Sequence, residues 1–271
     1  MVNNKQRAFT LVELAMVMVI VGLVIGGALV GQVLIRASQL RSVTSEVGRY
    51  TQAVIDFRDK YGALPGDFAG ATALWGAPAA GCPSGTTASG DQATATCDGN
   101  GDGRITVQTA DTTANEYEQF RAWQHLANAG LIDGSYSGIA GPNDPMQAII
   151  GGATGNVPAS QLTGGGYSLI SMLSGEIGSN TVTPHYFPGV NYMHMLQFGS
   201  PGVKGTIYPV LTAAEALSID SKLDDGYPYS GKVMGPRSDS IYSPLCVAPA
   251  QQLYWPQMPG NNCSLSFLLG F

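Results

Sequence analysis

Residues 5–31 read KQRAFTLVELAMVMVIVGLVIGGALVG, and this stretch decides how the rest of the chain folds. Lys5 and Arg7 come first, with no acid among residues 1–8. An uncharged apolar run, Leu14–Gly31, follows. As a helix it would reach about 27 Å, which suits a membrane span. The basic side of such a span stays in the cytoplasm, so residues 1–8 are expected there and the rest across the membrane. A secretory signal peptide would be cut after the run, in a small-residue setting such as Gly26, Gly27 and Ala28. The chain instead continues helix-like for another thirty positions or so. A plain signal anchor leaves Glu13 without a purpose. A carboxylate inside an apolar segment is costly in lipid unless paired or near the interface, so it marks function.

Outward from this stretch, no Pro interrupts residues 9–63, and one continuous helix over 9–60 is allowed. Past Arg36 the pattern becomes amphipathic. Leu40, Val43, Val47, Tyr50, Val54, Phe57 and Tyr61 recur at alternating steps of three and four, a single apolar stripe at helical period. Arg41, Glu46, Arg49, Asp56 and Arg58 fall off it. The stripe is short for a coiled coil, and packing against the chain's own sheet is expected. Tyr61-Gly62-Ala63-Leu64-Pro65 ends the helix, with Gly62 suited to a C-cap and Pro65 barring continuation.

A basic leader, then Phe9-Thr10-Leu11-Val12-Glu13, then an apolar helix resembles the class III prepilin signal of the type IV pilin and type II secretion pseudopilin superfamily. The resemblance covers about residues 1–60. It implies cleavage by a prepilin peptidase between Ala8 and Phe9, and N-methylation of Phe9; the family usually has Gly where this chain has Ala8. It also implies that Glu13 pairs with the N-terminal amine of a neighbouring subunit during filament assembly. A buried carboxylate needs such a cationic partner. The implied fold is α+β: a leader at 1–8, a helix at 9–60 whose residues 9–31 span the membrane, and a loop-rich antiparallel-sheet head at 61–271. The Tyr-x-x-Leu-Pro exit is similar to that of pseudopilins.

The head is rich in Gly (36 in the chain) and Pro (16), yet 44% of residues are hydrophobic, enough for a core. Its four cysteines fall as two close pairs, Cys82 with Cys97 and Cys246 with Cys263, without C-x-x-C spacing or nearby His. Local disulfides in an oxidising compartment fit this better than zinc, each contributing roughly 3 kcal/mol on the chain-entropy estimate. The alternative is four free thiols. Residues 77–112 read as a long excursion closed by the first pair. Inside it, Asp98-Gly-Asn100-Gly-Asp102-Gly103 matches the first half of an EF-hand loop, whose alternating oxygens converge on one cation. The Arg104 carbonyl is the next ligand in that register. Thr109 then stands where the bidentate Glu belongs, so Glu116 or Glu118 is the candidate for the last position. Thr113-x-x-Glu116 is a capping box, which gives Glu116 another role and favours Glu118. Calcium is the expected ion. The alternative is an Asx-turn loop without metal. Major pseudopilins are similar in carrying a calcium loop, and many pilins in carrying a C-terminal disulfide loop.

A helix is expected over Asn115–Ala129 and another over Thr212–Leu223, with Thr212-x-x-Glu215 as its capping box. Strands are expected over Tyr167–Leu173, Tyr192–Phe198 and Thr206–Val210. Asp220, Asp224 and Asp225 cluster before Gly226 and read as a solvated turn, with a second cation site as the alternative. The net charge of −6 and the lack of a basic cluster past Arg58–Lys60 exclude nucleic acid as an expected partner. No G-x-S-x-G, H-E-x-x-H or Walker motif occurs, and the three histidines are scattered. The expectation is a structural filament subunit of a pseudopilus or pilus, not an enzyme. Its partners are copies of itself, other pilins, the prepilin peptidase and an inner-membrane assembly platform. It is expected in the inner membrane with its head in the periplasm, or outside the cell once assembled as a pilus. The runner-up is a minor pilin whose large head is a tip adhesin or binding module. A membrane-anchored enzyme comes third.

Overall fold

The computed structural model describes residues 10–78, 82, 95–107, 118–144, 146–152, 154–172, 193–236, 240, 242–243, 245–248 and 252–271. Ala8, Phe9, Thr109, Thr113 and Glu116 lie outside them.

The first helix, α1, runs Leu11–Tyr61 without a break, about 77 Å at 1.5 Å per residue. Thr10 caps its start: its side chain accepts from the Glu13 N–H, and the Glu13 carboxylate accepts from the Thr10 N–H. Gly62, at φ 70°, turns the chain left-handed and donates its N–H to the Arg58 carbonyl at 2.8 Å. The two halves of α1 meet different surroundings. The apolar half stands free of the head, with Leu23 73% and Ile35 61% exposed. The second half buries Val43, Glu46, Val47, Tyr50, Ala53, Val54 and Phe57, with Leu40 and Tyr61 partly buried at the ends. Glu46 corrects the sequence reading, which set it off the stripe. It follows Val43 by one turn and precedes Tyr50 by one, so helical geometry carries it inward with them.

The sheet that receives α1 is antiparallel, in the order β1-β2-β5-β4, with β3 also paired to β2. Its strands are β1 (Gly166–Ser171), β2 (His194–Gly202), β3 (Gly205–Tyr208), β4 (Val233–Met234) and β5 (Leu265–Leu268). β1 and β2 pair with Tyr167 opposite Phe198 and Leu169 opposite Leu196. Side chains alternate across the strands. Tyr167, Leu169, Leu196, Phe198, Leu265 and Phe267 join the main core with α1. Ile170, Met195, Ile207 and Met234 form a second, smaller cluster with Met146 and Met172.

Helices α2 (Ala71–Trp75), α3 (Glu118–Asn128) and α4 (Ala213–Leu223) complete the head. In α3, Phe120, Trp123 and Leu126 are buried at helical spacing, and Trp123 meets Tyr50 of α1 edge-on at 5.1 Å. α4 begins with the expected capping box of Thr212 and Glu215. Cys82 is bonded to Cys97 and Cys246 to Cys263. The second bridge belongs to the main core, both of its cysteines fully buried.

Candidate functional site

Two places in the molecule carry polar groups where the surroundings give them work to do. The first is the start of α1. Glu13 Oε2 accepts from both the backbone N–H and the hydroxyl of Thr10, each at 2.9 Å. The carboxylate is therefore held at the tip of the helix, next to the chain's N-terminal segment and ahead of the exposed apolar half. α1 is long and apolar enough over this half to cross a membrane. Where the apolar half ends, Arg36 grips the head. Its Nε and Nη2 meet the two Glu215 oxygens at 2.7 and 2.8 Å, and Nη2 also reaches the Val210 carbonyl at 3.0 Å. The fork geometry fixes direction as well as distance.

The second place lies where the α1 exit, the 95–107 segment and the start of α3 converge. Two glycines permit the convergence. A Cβ on Gly66, whose φ is +89°, would overlap the Glu118 carbonyl oxygen, and one on Gly99 would overlap the Gly66–Asp67 backbone. Gly99 donates its N–H to the Phe68 carbonyl at 3.0 Å and Gly101 to the Asp67 carbonyl at 3.1 Å. The carboxylate of Asp67 then accepts from the N–H of Asp102 and of Gly103, each at 2.9 Å. Glu118 accepts from the N–H of Asn100 at 3.0 Å and of Thr106 at 2.8 Å. Asp102 Oδ1 takes the Arg104 N–H at 2.9 Å.

One carboxylate oxygen from each of Asp67, Asp102 and Glu118 lies within 4.8 Å of the others. Asp67 and Glu118 are buried and Asp102 is exposed. Burial is the main cause that pushes the Glu118 carboxyl up to about 7, with the Asp67 charge adding to it. Burial also raises Asp67, against the nearby backbone N–H groups of Gly103, Gly101 and Asp102. Each bonded oxygen keeps a second lone pair, so an N–H on a carboxylate does not exclude an ion on it. The donors are all hard oxygens, the chemistry of calcium or magnesium, not of zinc.

The sequence expectation and this geometry overlap in part. Asp102 and Glu118 come together. Asp98 does not join them: its two oxygens accept from the Thr72 N–H at 2.7 Å and the Thr72 hydroxyl at 2.8 Å, at the start of α2. Asn100 turns its amide to Asp102, with Oδ1 on the Asp102 N–H at 2.9 Å and Nδ2 on Asp102 Oδ2 at 3.3 Å. Arg104 contributes its N–H to the loop. Asp67 was missed, because it sits far from the loop in sequence and nothing local marks it.

A second acidic group, Asp220, Asp224 and Asp225, is also close together. It ties its own turn to neighbouring chain, and Asp220, expected in a solvated turn, is instead fully buried. Asp220 accepts from the Gly226 N–H at 3.0 Å and the Tyr254 hydroxyl at 2.8 Å, Asp225 from the Tyr227 N–H at 2.9 Å, and Asp224 from the N–H of Lys232 and of Val233.

Among known proteins, residues 3–29 match the profile described as the prokaryotic N-terminal methylation motif. No curated protein matches the chain, and no solved structure does.

Proposed function

Since residues 3–29 carry the prepilin signal of type IV pilins and pseudopilins, we propose that the chain is a structural subunit of a type IV-like filament, either a type II secretion pseudopilus or a type IV pilus. The observation that carries this is the coincidence of that signal with an apolar half-helix standing entirely outside the head. A soluble protein does not leave so large an apolar surface uncovered. Lipid covers it before assembly, and other copies of α1 cover it afterwards. The same signal points to a structural subunit and not to an enzyme. On this reading a prepilin peptidase removes residues 1–8, Phe9 becomes the methylated N-terminus, and the subunit waits in the inner membrane with its head in the periplasm. Other pilins and an inner-membrane assembly platform are its partners. Mass spectrometry of the full chain expressed with a prepilin peptidase tests it. The mature protein is expected to begin at Phe9 and carry an N-methyl group. A start at Met1, or after Ala28, overturns the reading.

The head is further read as calcium-binding, with Asp67, Asp102 and Glu118 as the protein's carboxylate ligands. Support comes from the convergence of the three hard-oxygen groups. The ion would relieve their mutual repulsion and fasten the 95–107 segment to α3 and to the α1 exit. An ion that binds only the folded state stabilises it by about 2.7 kcal/mol at a hundredfold excess over Kd. The full chain in detergent is therefore expected to melt several degrees higher in calcium than in chelator. Asp102→Ala or Glu118→Gln should remove most of that difference, and Asp224→Ala should leave it. Equal melting with calcium and with chelator would make the loop a turn and nothing more.

A further inference from the structure

His125 is completely buried on α3, yet it touches nearly every segment that frames the carboxylate cluster. Its Nδ1 accepts from the Gly66 N–H at 3.0 Å. That bond requires a bare Nδ1, so in the neutral ring the proton sits on Nε2. Nε2 lies 3.2 Å from the Cys97 carbonyl and 3.2 Å from the Thr96 hydroxyl oxygen. The Thr96 hydroxyl in turn donates to Gln124 Oε1 at 2.6 Å. Phe57 of α1 stacks on the ring at 6.3 Å between centroids, and Trp75 of α2 lies at 5.5 Å. One imidazole thus joins the α1 exit, the 95–107 segment and α3 between two aromatic faces. Its bonds end at Gly66, the neighbour of Asp67, and at Cys97, which begins the loop leading to Asp102.

We propose that His125 is the positioning residue of the cluster and its acid release: neutral, it holds the Gly66–Asp67 turn and the Thr96–Cys97 segment so that Asp67 and Glu118 face Asp102, and protonated, it lets that turn go. The cation half of this rests on the calcium reading above; the latch itself does not. A proton on Nδ1 sets two donors against each other at the Gly66 N–H. Toward α3 the Glu118 carbonyl stands so close that a Cβ on Gly66 would overlap it. The turn must therefore leave the ring, and Asp67 goes with it.

The charged groups facing the ring are Arg121, one turn earlier on α3, and Asp98 on the 95–107 segment. Phe57 and Trp75 do not titrate, and the α1 exit offers the ring only an amide. Burial first, then Arg121, lowers the His125 pKa to about 3, while the Cys97 carbonyl and Asp98 oppose the shift. A histidine depressed in the folded state gives its full stability above about pH 6.5 and loses it as the pH falls toward 3. With those two values, opening becomes about thirtyfold easier at pH 5 than at neutral pH.

The test uses the full chain in detergent and its His125→Gln variant. Glutamine offers an acceptor and a donor at the tip of its side chain but takes up no proton near neutrality. Hydrogen exchange at the Gly99 and Gly101 amides is measured in chelator between about pH 7.5 and 5, corrected for intrinsic rate. The ratio of wild-type to variant protection is expected to fall by about thirtyfold across this range. Carboxylate titration is common to both proteins and cancels in the comparison. Superimposable pH profiles would overturn the latch. Should the variant fail to fold, imidazole NMR of the wild type decides. Ring protonation and loss of Gly66 protection at the same pH support the proposal, and a ring that titrates near 6.5 beside a protected Gly66 overturns it. Calcium added to both proteins separates the two readings. A latch that opens in acid, in a protein that calcium never stabilises, removes the calcium reading and leaves the latch.

Discussion

Replacing Glu13 by Val is expected to impair filament assembly strongly while leaving membrane insertion and removal of residues 1–8 intact. In the single subunit the Glu13 carboxylate is held by Thr10 of its own helix. That contact satisfies hydrogen bonding and leaves the charge. In an apolar surrounding the charge needs a cation, and on the proposed filament reading the α-amine freed by cleavage of a neighbouring subunit would supply it. Filament yield should fall on the order of tenfold or more, the change that follows from losing a single charge pair in a low-dielectric site. Glu13→Gln separates the two roles. Glutamine keeps an acceptor for Thr10 and loses the charge. If pairing matters, Gln fails as Val does; if capping matters, Gln restores filaments. Normal filament yield from Glu13→Val would remove charge pairing from the account.

The second large effect is expected in the head. Glu46→Ala should lower the stability of the full chain by about 3–5 kcal/mol, which at this size is a melting shift of about 10 °C. Glu46 is buried on the inner face of α1 and accepts three bonds: from the Ser160 hydroxyl at 2.6 Å, the Gln161 N–H at 2.9 Å and the Tyr167 hydroxyl at 2.7 Å. Alanine leaves the buried Tyr167 hydroxyl and the donors of Ser160 and Gln161 at its edge without their shared acceptor. Burial, then the Glu46 charge, raises the Tyr167 pKa far above its ordinary value, so that hydroxyl remains a donor throughout the physiological range. Glu46→Gln retains one good acceptor and should cost about half as much. Calorimetry checks the series. A Glu46→Ala protein melting within about 2 °C of the wild type would mean that the loop finds other acceptors.

Glu46 also illustrates where the sequence was legible and where it was not. Charge placed it on the wrong side of α1, although its spacing from Val43 and Tyr50 already placed it inside. Periodicity was the better guide, and residue type misled because the acceptor's partners, Ser160, Gln161 and Tyr167, lie more than a hundred residues away. The same distinction runs through the head. The capping box of α4 is local and was readable at Thr212 and Glu215. β4, Val233–Met234, is too short to show a pattern, and β5, Leu265–Leu268, follows Cys263 so closely that it reads as part of the disulfide loop. The long helix was legible to within a residue at its C-terminus, because Gly62 and Pro65 act on their own neighbours. In the carboxylate cluster, Asp102 and Glu118 stood out by motif and by the elimination of Glu116. Asp67 depends on a chain reversal at Gly66 and on two close approaches without a Cβ, and these belong to tertiary structure alone.

The exposed apolar half of α1 belongs to the same unbroken rod whose later side chains enter the core of the head. There is no linker in which strain can dissipate between the two. A pull along the rod reaches the Arg36–Glu215 fork first, then the Glu46 bonds, and finally the Phe57 packing near Gly62. These anchors lie side by side along the axis and share traction in shear, the way a row of rivets does. On the proposed filament reading, a machine that drew the chain by its apolar half would therefore grip the folding core directly, and the head would travel as rigid cargo instead of trailing on a tether.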